Sequence, residues 1–433
     1  MPSFDDIEYY PGDPILGLAD LYAADTHPHK VNLGVGIYLD EQGRLPLPEC
    51  VEVAERRIAA NPAPRGYIPI GGLPSYVAAT QQVVFGEGAP VLSGQRVATV
   101  QTLGGSGALK EGADFLRGLL GASKMIMSNP SWANHQAIFE GAGYQVGRYR
   151  YYDDEAHGVD VDGMLADLAA AQPGTVVVLH ACCHNPTGYD IDREQWRQVA
   201  EVTKRQGLIP FLDMAYQGFA EGLDADRVAV DVFVESGQRF WVGNSFSKTF
   251  GLYGERVGAL HVVCRDDEEA VRVRSQLCRV IRTNYSNPPT HGAQVVAQVL
   301  GDAQLRSSWE TELAGMRERI RHMREALVTG LREEGVDDMD FIAEQNGMFS
   351  FSGLSVAQMH QLRSDFGVYG TDDGRMCVAG LNEENVQVVA RAIAQVRRDE
   401  DRTARRLPRH RARLASRGPA SPSQDDSGWE GQA

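Results

Sequence analysis

Short apolar runs alternate with helical patterns along most of the chain, which predicts an α/β fold. Strands are expected at 96–101, 124–127, 145–150, 175–179, 208–212, 240–242 and 257–263, with amphipathic segments such as 107–120, 132–142 and 193–205 between them. Runs such as Val176-Val177-Val178-Leu179 have no polar face, so the sheet should be mostly parallel and covered on both sides. Ligands of such sheets collect beyond the carboxyl ends of the strands. After Asn287-Pro288-Pro289 the pattern changes. A long helical stretch covers about 305–334, short strands fall near 341–351 and 368–378, and a last helix covers about 383–396. These form a smaller α/β domain. The segment up to about Leu45 joins it, because 14–24 reads as a short helix with no strand partner of its own. The expected division is an N-terminal arm at 1–13, a small domain from 14–45 and 316–397, a large domain at 46–315, and a disordered Arg-rich tail at 398–433.

Composition changes this picture little: 43% hydrophobic and 23% charged residues suit an ordinary globular protein. No apolar stretch approaches the roughly 20 residues of a membrane span. The first ten residues carry acids where a signal peptide carries Lys or Arg, so a cytoplasmic protein without membrane contact is expected. The formal charge of −16 argues against a nucleic-acid-binding body. From Arg397 onward there are nine Arg and six Asp/Glu, which leaves the tail near +3 and the body near −19. Its Pro, Ser, Gly and charge content reads as a solvated extension. The six cysteines show no C-x-x-C spacing and read as reduced core thiols. His180, Cys182, Cys183 and His184 could be read as metal ligands, but neighbours on a strand point to opposite faces and no metal is expected.

The chemistry concentrates in a few segments. Lys248 lies in Ser245-Phe246-Ser247-Lys248-Thr249-Phe250-Gly251-Leu252, with Arg256 eight positions later. Apolar neighbours imply partial burial, which lowers a lysine pKa toward the range where its amine attacks a carbonyl. Asp213 ends the apolar run 208–212, where an unpaired carboxylate needs a cationic partner. A protonated pyridine nitrogen is one such partner; a salt bridge or a helix cap is the structural alternative. Asn185, aimed by Pro186 and Gly188, and Tyr216 can both hydrogen-bond a phenolate. The loop Gly104-Gly105-Ser106-Gly107 follows a strand and opens a helix, so its N–H groups can cradle a phosphate, with Ser245, Ser247 and Arg256 adding hydroxyls and charge. Trp132 could stack on a ring. His135, His180 and His184 are read as supporting groups or as satisfied core histidines. Together these are the parts that pyridoxal 5'-phosphate requires. Ser245-Phe246-Ser247-Lys248 also matches the S-x-x-K of serine β-lactamases, but the S-D-N and K-T-G elements those enzymes need are missing.

From Asp13 to about Val396 the chain resembles the class I aminotransferases, specifically the aspartate and aromatic amino acid subfamily. The stretches CCHNPTG, AYQGF, SFSKTFGLYGERVG, NYSNPP, NGMFSFSGL and GRMCVAGL carry the likeness. The resemblance implies a fold-type I homodimer that moves an amino group between an L-amino acid and 2-oxoglutarate in two half-reactions. It implies Lys248 as the lysine that binds the aldehyde and moves the proton, and Asp213 as the pyridine partner. It assigns Asn185 and Tyr216 to the phenolate, and Gly105, Ser106, Ser245, Ser247 and Arg256 to the phosphate. Trp132 would cover the ring, and Tyr67 would reach in from the other subunit. Arg375 would hold the substrate α-carboxylate beside Gly36 and Asn185, and Arg282 of the neighbouring subunit a distal carboxylate, since a guanidinium binds a carboxylate through two parallel bonds. Ile37, Leu39 and Leu45, near the entrance with Ser106 in the loop, favour an aromatic donor, whereas Gly66 and Asn287 complicate that choice and Asn287 is the residue of aspartate-type members. Dual use of aromatic amino acids and aspartate is expected. The alternatives are a narrow aspartate enzyme, a lyase or decarboxylase of the same fold, and a cofactor-binding regulator, which would need a DNA-binding module that the sequence does not display.

Overall fold

Five buried residues in succession, Val176–His180, form an inner strand of a seven-stranded sheet. In chain order its strands are β1 (Val97–Leu103), β2 (Lys124–Asn129), β3 (Gln145–Arg150), β4 (Val176–His180), β5 (Ile209–Met214), β6 (Phe240–Ser245) and β7 (Val257–Val263). They lie side by side in the order β1-β7-β6-β5-β4-β2-β3. Only β7 runs against its neighbours; the rest are parallel. This is the mostly parallel α/β sheet that the unbroken apolar runs demand. The computed structural model describes residues 4–9 and 14–406. Most of the expected tail, and the arm outside 4–9, lie beyond that range.

The helices between the strands begin and end where local chemistry dictates. Arg193–Gln206 opens with a capping box, Asp192 accepting from the Gln195 N–H while the Gln195 side chain accepts from the Asp192 N–H. It closes at Gly207 with φ of 66°, a left-handed angle natural to glycine. Each parallel strand thus delivers its carboxyl end to one edge of the sheet. The register pairs His180 with Asp213, Asp213 with Gly243, and Ser245 with Gly258. Residues far apart in sequence are thereby set in a row.

Beyond the sheet, Val31–Asn32 pairs in parallel with Val368–Tyr369, and Phe349–Phe351 pairs antiparallel with Arg375–Cys377. The helix Pro14–Ala24 precedes the first of these strands, and the 31-residue helix Ala303–Glu333 precedes Phe349–Phe351. The expected strand at 341–351 is shorter than its pattern suggested. Residues Asp340–Glu344 form a 3₁₀ turn, and Gly347 at φ 77° breaks the extended run before Phe349. Similarly, Gly374 at φ 91° divides 368–378 into two strands. The last helix runs Val386–Arg406, past the expected end at 396.

Candidate active site

One cavity of about 590 Å³ opens at the carboxyl edge of the sheet. Of the residues assigned from sequence to hold the cofactor and the substrate carboxylates, all but Tyr67 and Arg282 line it: Gly36, Gly105, Ser106, Trp132, Asn185, Asp213, Tyr216, Ser245, Ser247, Lys248, Arg256 and Arg375. Asn134, His180, Ala215, Tyr253 and Phe349 complete the lining.

Lys248 follows β6 in a tight turn, partly buried, with its Nζ 5.2 Å from the centre of the Tyr216 ring. Burial lowers its pKa, Asp213 pulls the other way, and Arg256 and Arg375 reinforce the lowering. Asp213 is buried at the end of β5. Burial alone would raise its carboxyl, but a 2.8 Å hydrogen bond with His135 Nε2 and the charge of Lys248 outweigh it, and the net direction is downward. His135 is fixed in turn by Ser131 Oγ at 3.0 Å from Nδ1. Asp213 is therefore held as an anion facing the cavity. Beside it His180, 6% exposed, has no hydrogen-bond partner on either ring nitrogen among the described residues. Burial, followed by its neighbour His135, drops its pKa to about 3. Burial also pushes the Tyr216 hydroxyl upward.

At the other end of the cavity, β1 runs into the helix Gly104–Leu120, whose first N–H groups are free for an anion. Two glycines make this approach possible. A Cβ on Gly104, which has φ of 67°, would lie 2.6 Å from Arg256 Nη2, and one on Gly258 would lie 2.5 Å from the carbonyl carbon of Gly104. Ser245 Oγ donates to Ser247 Oγ at 3.1 Å and accepts from the Ser247 N–H at 3.2 Å. Arg256 Nη1 donates to the Tyr253 carbonyl at 2.8 Å and reaches Ser247 Oγ at 3.5 Å. Hydroxyls, a helix N-terminus and a guanidinium in one concavity suit a phosphate dianion.

Arg375 enters from the second pair of short strands and is 4% exposed. Its Nη2 donates to the Gly34 carbonyl at 2.7 Å and its Nη1 to Asn185 Oδ1 at 3.3 Å. Its Cζ stands 4.4 Å over the Phe349 ring. Gly188, φ 72°, turns the Asn185 loop where a Cβ would meet Gln345 Cβ at 2.8 Å. Tyr67 is 93% exposed, and Arg282 is exposed near the end of the helix Asp267–Asn284, bonded to Ser286. Neither is among the residues that line the cavity of its own chain.

The sequence reading left His135 as either a supporting group or a satisfied core histidine, and did not single out Phe349 or Tyr253. A long-range contact carries each: His135 meets Asp213 across 78 positions, and the Tyr253 hydroxyl accepts from the Tyr38 N–H across 215. Of the residues expected to shape donor choice, Ile37 and Leu39 are partly buried and Leu45 is 49% exposed, on the loop that follows Gly36. Asn287 Nδ2 donates to the Ile68 carbonyl at 2.7 Å.

The family model described as aminotransferase class I and II matches residues 28–393. The aspartate aminotransferase of Pseudomonas aeruginosa is 52% identical over 398 residues, covering 92% of this chain and all of the relative. The aromatic-amino-acid aminotransferase of Escherichia coli is 49% identical over 395 residues, 91% of this chain and all of the relative. Among solved structures, an aromatic-amino-acid aminotransferase from Burkholderia pseudomallei covalently bound to pyridoxal phosphate is 53% identical. It superposes with a TM-score of 0.89 and covers 92% of this chain and all of that one.

Proposed function

The chain belongs to the class I and II aminotransferases, and from that premise we propose how its residues divide the work of a pyridoxal phosphate enzyme. One observation carries the reading: a lysine depressed by burial shares a single cavity with a carboxylate held charged by His135 and with a Ser/Ser/Arg anion cradle. The cavity fits the cofactor on its own chemistry. Its cradle is kept open by glycines whose Cβ atoms would fill it, and an unpartnered buried imidazole stands beside the carboxylate. When bound, pyridoxal phosphate supplies an aldehyde that takes up the amino group and a ring that draws electrons from the bond broken at the substrate carbon.

The remaining tasks fall to protein groups. Gly105, Ser106, Ser245, Ser247 and Arg256 hold the phosphate; Trp132 covers the ring; Asn185 and Tyr216 hold the phenolate. Asp213, kept anionic by His135, holds the pyridine nitrogen in its protonated form. Lys248 would be the covalent anchor and, once displaced by substrate, the base that takes the proton from the substrate Cα and delivers it to the former aldehyde carbon on the other side of the shared nitrogen. Arg375 grips the α-carboxylate beside Gly36. Tyr67 and Arg282 belong to the site of a second copy in a homodimer. Residues 14–45 and 316–397 act as the smaller body of each protomer against 46–315, a division supported by the pairing of Val31 with Val368. Six unpaired cysteines suit a reducing, cytoplasmic setting.

The donors are the aromatic amino acids together with aspartate, with 2-oxoglutarate as acceptor. The apolar Ile37, Leu39 and Leu45 support the aromatic side, and Asn287 supports a narrower aspartate enzyme as the second reading. Borohydride treatment of the cofactor-loaded protein should fix the label on Lys248, and turnover of Phe, Tyr and Asp with 2-oxoglutarate should be measurable for all three. Activity with Asp and none with Phe or Tyr would leave the narrow reading standing. Labelling elsewhere would overturn the role of Lys248.

A further inference from the structure

Arg324 lies inside the long helix Ala303–Glu333 and is 2% exposed. Its Nη1 donates to Ser350 Oγ at 2.5 Å, and its Nη2 donates to the carbonyl oxygens of Gly347 and Phe349 at 2.6 and 2.7 Å. Burial lowers its pKa to about 10, so it is a cation at neutral pH. All three bonds end on one short turn, 347–350, and no carboxylate shares in them among the described residues. A buried cation bonded only to neutral oxygens is a poor way to gain stability, because an apolar side chain of similar volume avoids the desolvation cost. What the turn carries is the more telling fact. Its Phe349 ring lies under the Arg375 guanidinium at 4.4 Å and meets Tyr216 edge-on at 5.8 Å. It also presses on Gly36, where a Cβ would come within 2.8 Å of Phe349 Cζ.

We propose that Arg324 is a positioning residue for carboxylate recognition: its planar fork locks the 347–350 turn so that the Phe349 ring stays beneath Arg375. The proposal rests on the reading of Arg375 as the α-carboxylate clamp. Arg375 is also held by the Gly34 carbonyl and Asn185, while the Phe349 ring lies against the guanidinium itself. A Phe349 free to tilt would remove the cation–π support. It would also let Gly36 and Tyr216 shift together. The pairing of Phe349 with Cys377 does not depend on Arg324, so the loss should appear in substrate affinity before it appears in the fold.

The test uses cofactor-loaded protein and 3-phenylpropanoate, a carboxylate that has no amino group to react, titrated by calorimetry. Ser350→Ala removes one of the three bonds and should raise Kd about 2–10-fold. Arg324→Met should raise it by about 10–100-fold, and Arg324→Lys should fall between. The donor KM should rise in step while kcat stays within about threefold and the visible spectrum of the bound cofactor is unchanged. Loss of kcat or of cofactor affinity with Kd unaltered would overturn the proposal. Arg375→Lys separates the two readings. If it raises Kd and the Ser350 and Arg324 variants do not, Arg324 has no positioning role. If it leaves Kd unchanged, the clamp reading falls and takes the proposal with it. Should Arg324→Met fail to fold, Ser350→Ala and Arg324→Lys decide the matter.

Discussion

At the scale of single residues, the chemistry depends on opposite pressures applied to two buried charges. Burial weakens the proton's hold on Lys248, whereas the His135 bond and the lysine charge overcome burial at Asp213 and keep it ionised. Asp213→Asn preserves shape but removes the charge that would keep a pyridine nitrogen protonated. Turnover should fall by about 10²–10⁴-fold, the range typical for loss of proton-transfer assistance, while borohydride still fixes the cofactor on Lys248. Steady-state rates measured beside the labelling yield check both halves, and unchanged turnover would remove Asp213 from its role. Lys248 and Asp213 were legible because each stands at the end of an apolar strand in a short, specific motif. His135 and Phe349 were not, because each owes its meaning to a partner distant in the chain, His135 to Asp213 and Phe349 to Arg375 and Gly36. A linear pattern carries no record of such pairs.

At the scale of elements, strand positions were readable because buried parallel strands leave an unbroken apolar run. β3 and β7 match their expected limits, and β5 and β6 extend further, to Met214 and Ser245. Those extensions contain Asp213, Asn244 and Ser245, polar residues that a hydrophobic pattern treats as the end of a strand. The same logic explains the failure at 340–344, where apolar Phe341 and Ile342 sit in a 3₁₀ turn that buries Ile342 and half-buries Phe341. Register, more than propensity, builds the phosphate end of the cavity. Gly258 on β7 pairs with Thr102 on β1 and Ser245 on β6, pressed against the Gly104 backbone. Gly258→Ala would place a methyl group 2.5 Å from the carbonyl carbon of Gly104. The strand cannot retreat without breaking both ladders, so the cradle has to open. Cofactor affinity should drop by about tenfold or more, equal to at least about 1.4 kcal/mol, as measured by equilibrium titration of pyridoxal phosphate. The unfolding midpoint should fall only modestly, since overpacking strain is of order 1–3 kcal/mol. Unchanged affinity would show that the cradle does not hold the phosphate.

At the scale of the whole molecule, a sheet edge that gathers chemistry also gathers buried histidines, and these tie global stability to pH. Burial drops both His180 and His261 to about 3 and sends His184 in the same direction. In the unfolded chain all three return to about 6.5. Between these limits the unfolded state binds more protons than the folded one, so stability rises with pH across the window. It is fully present above about pH 6.5 and is lost progressively as pH falls toward 3. His261 gives the cleanest reading, because it stitches three strands without touching the cavity. Its Nδ1 lies 2.9 Å from Thr99 Oγ1 on β1, and its Nε2 lies 3.1 Å from Asn244 Oδ1 on β6. Urea denaturation of the protein at a series of pH values between 4.5 and 6 should show unfolding free energy climbing with pH, each histidine adding up to about 1.4 kcal/mol per pH unit. His261→Gln, which keeps an amide in place of the ring, should reduce that slope by about one proton and leave the slope from His180 and His184 intact. A slope identical in the variant would mean that His261 titrates alike in the folded and unfolded chains, contrary to its burial between β1 and β6.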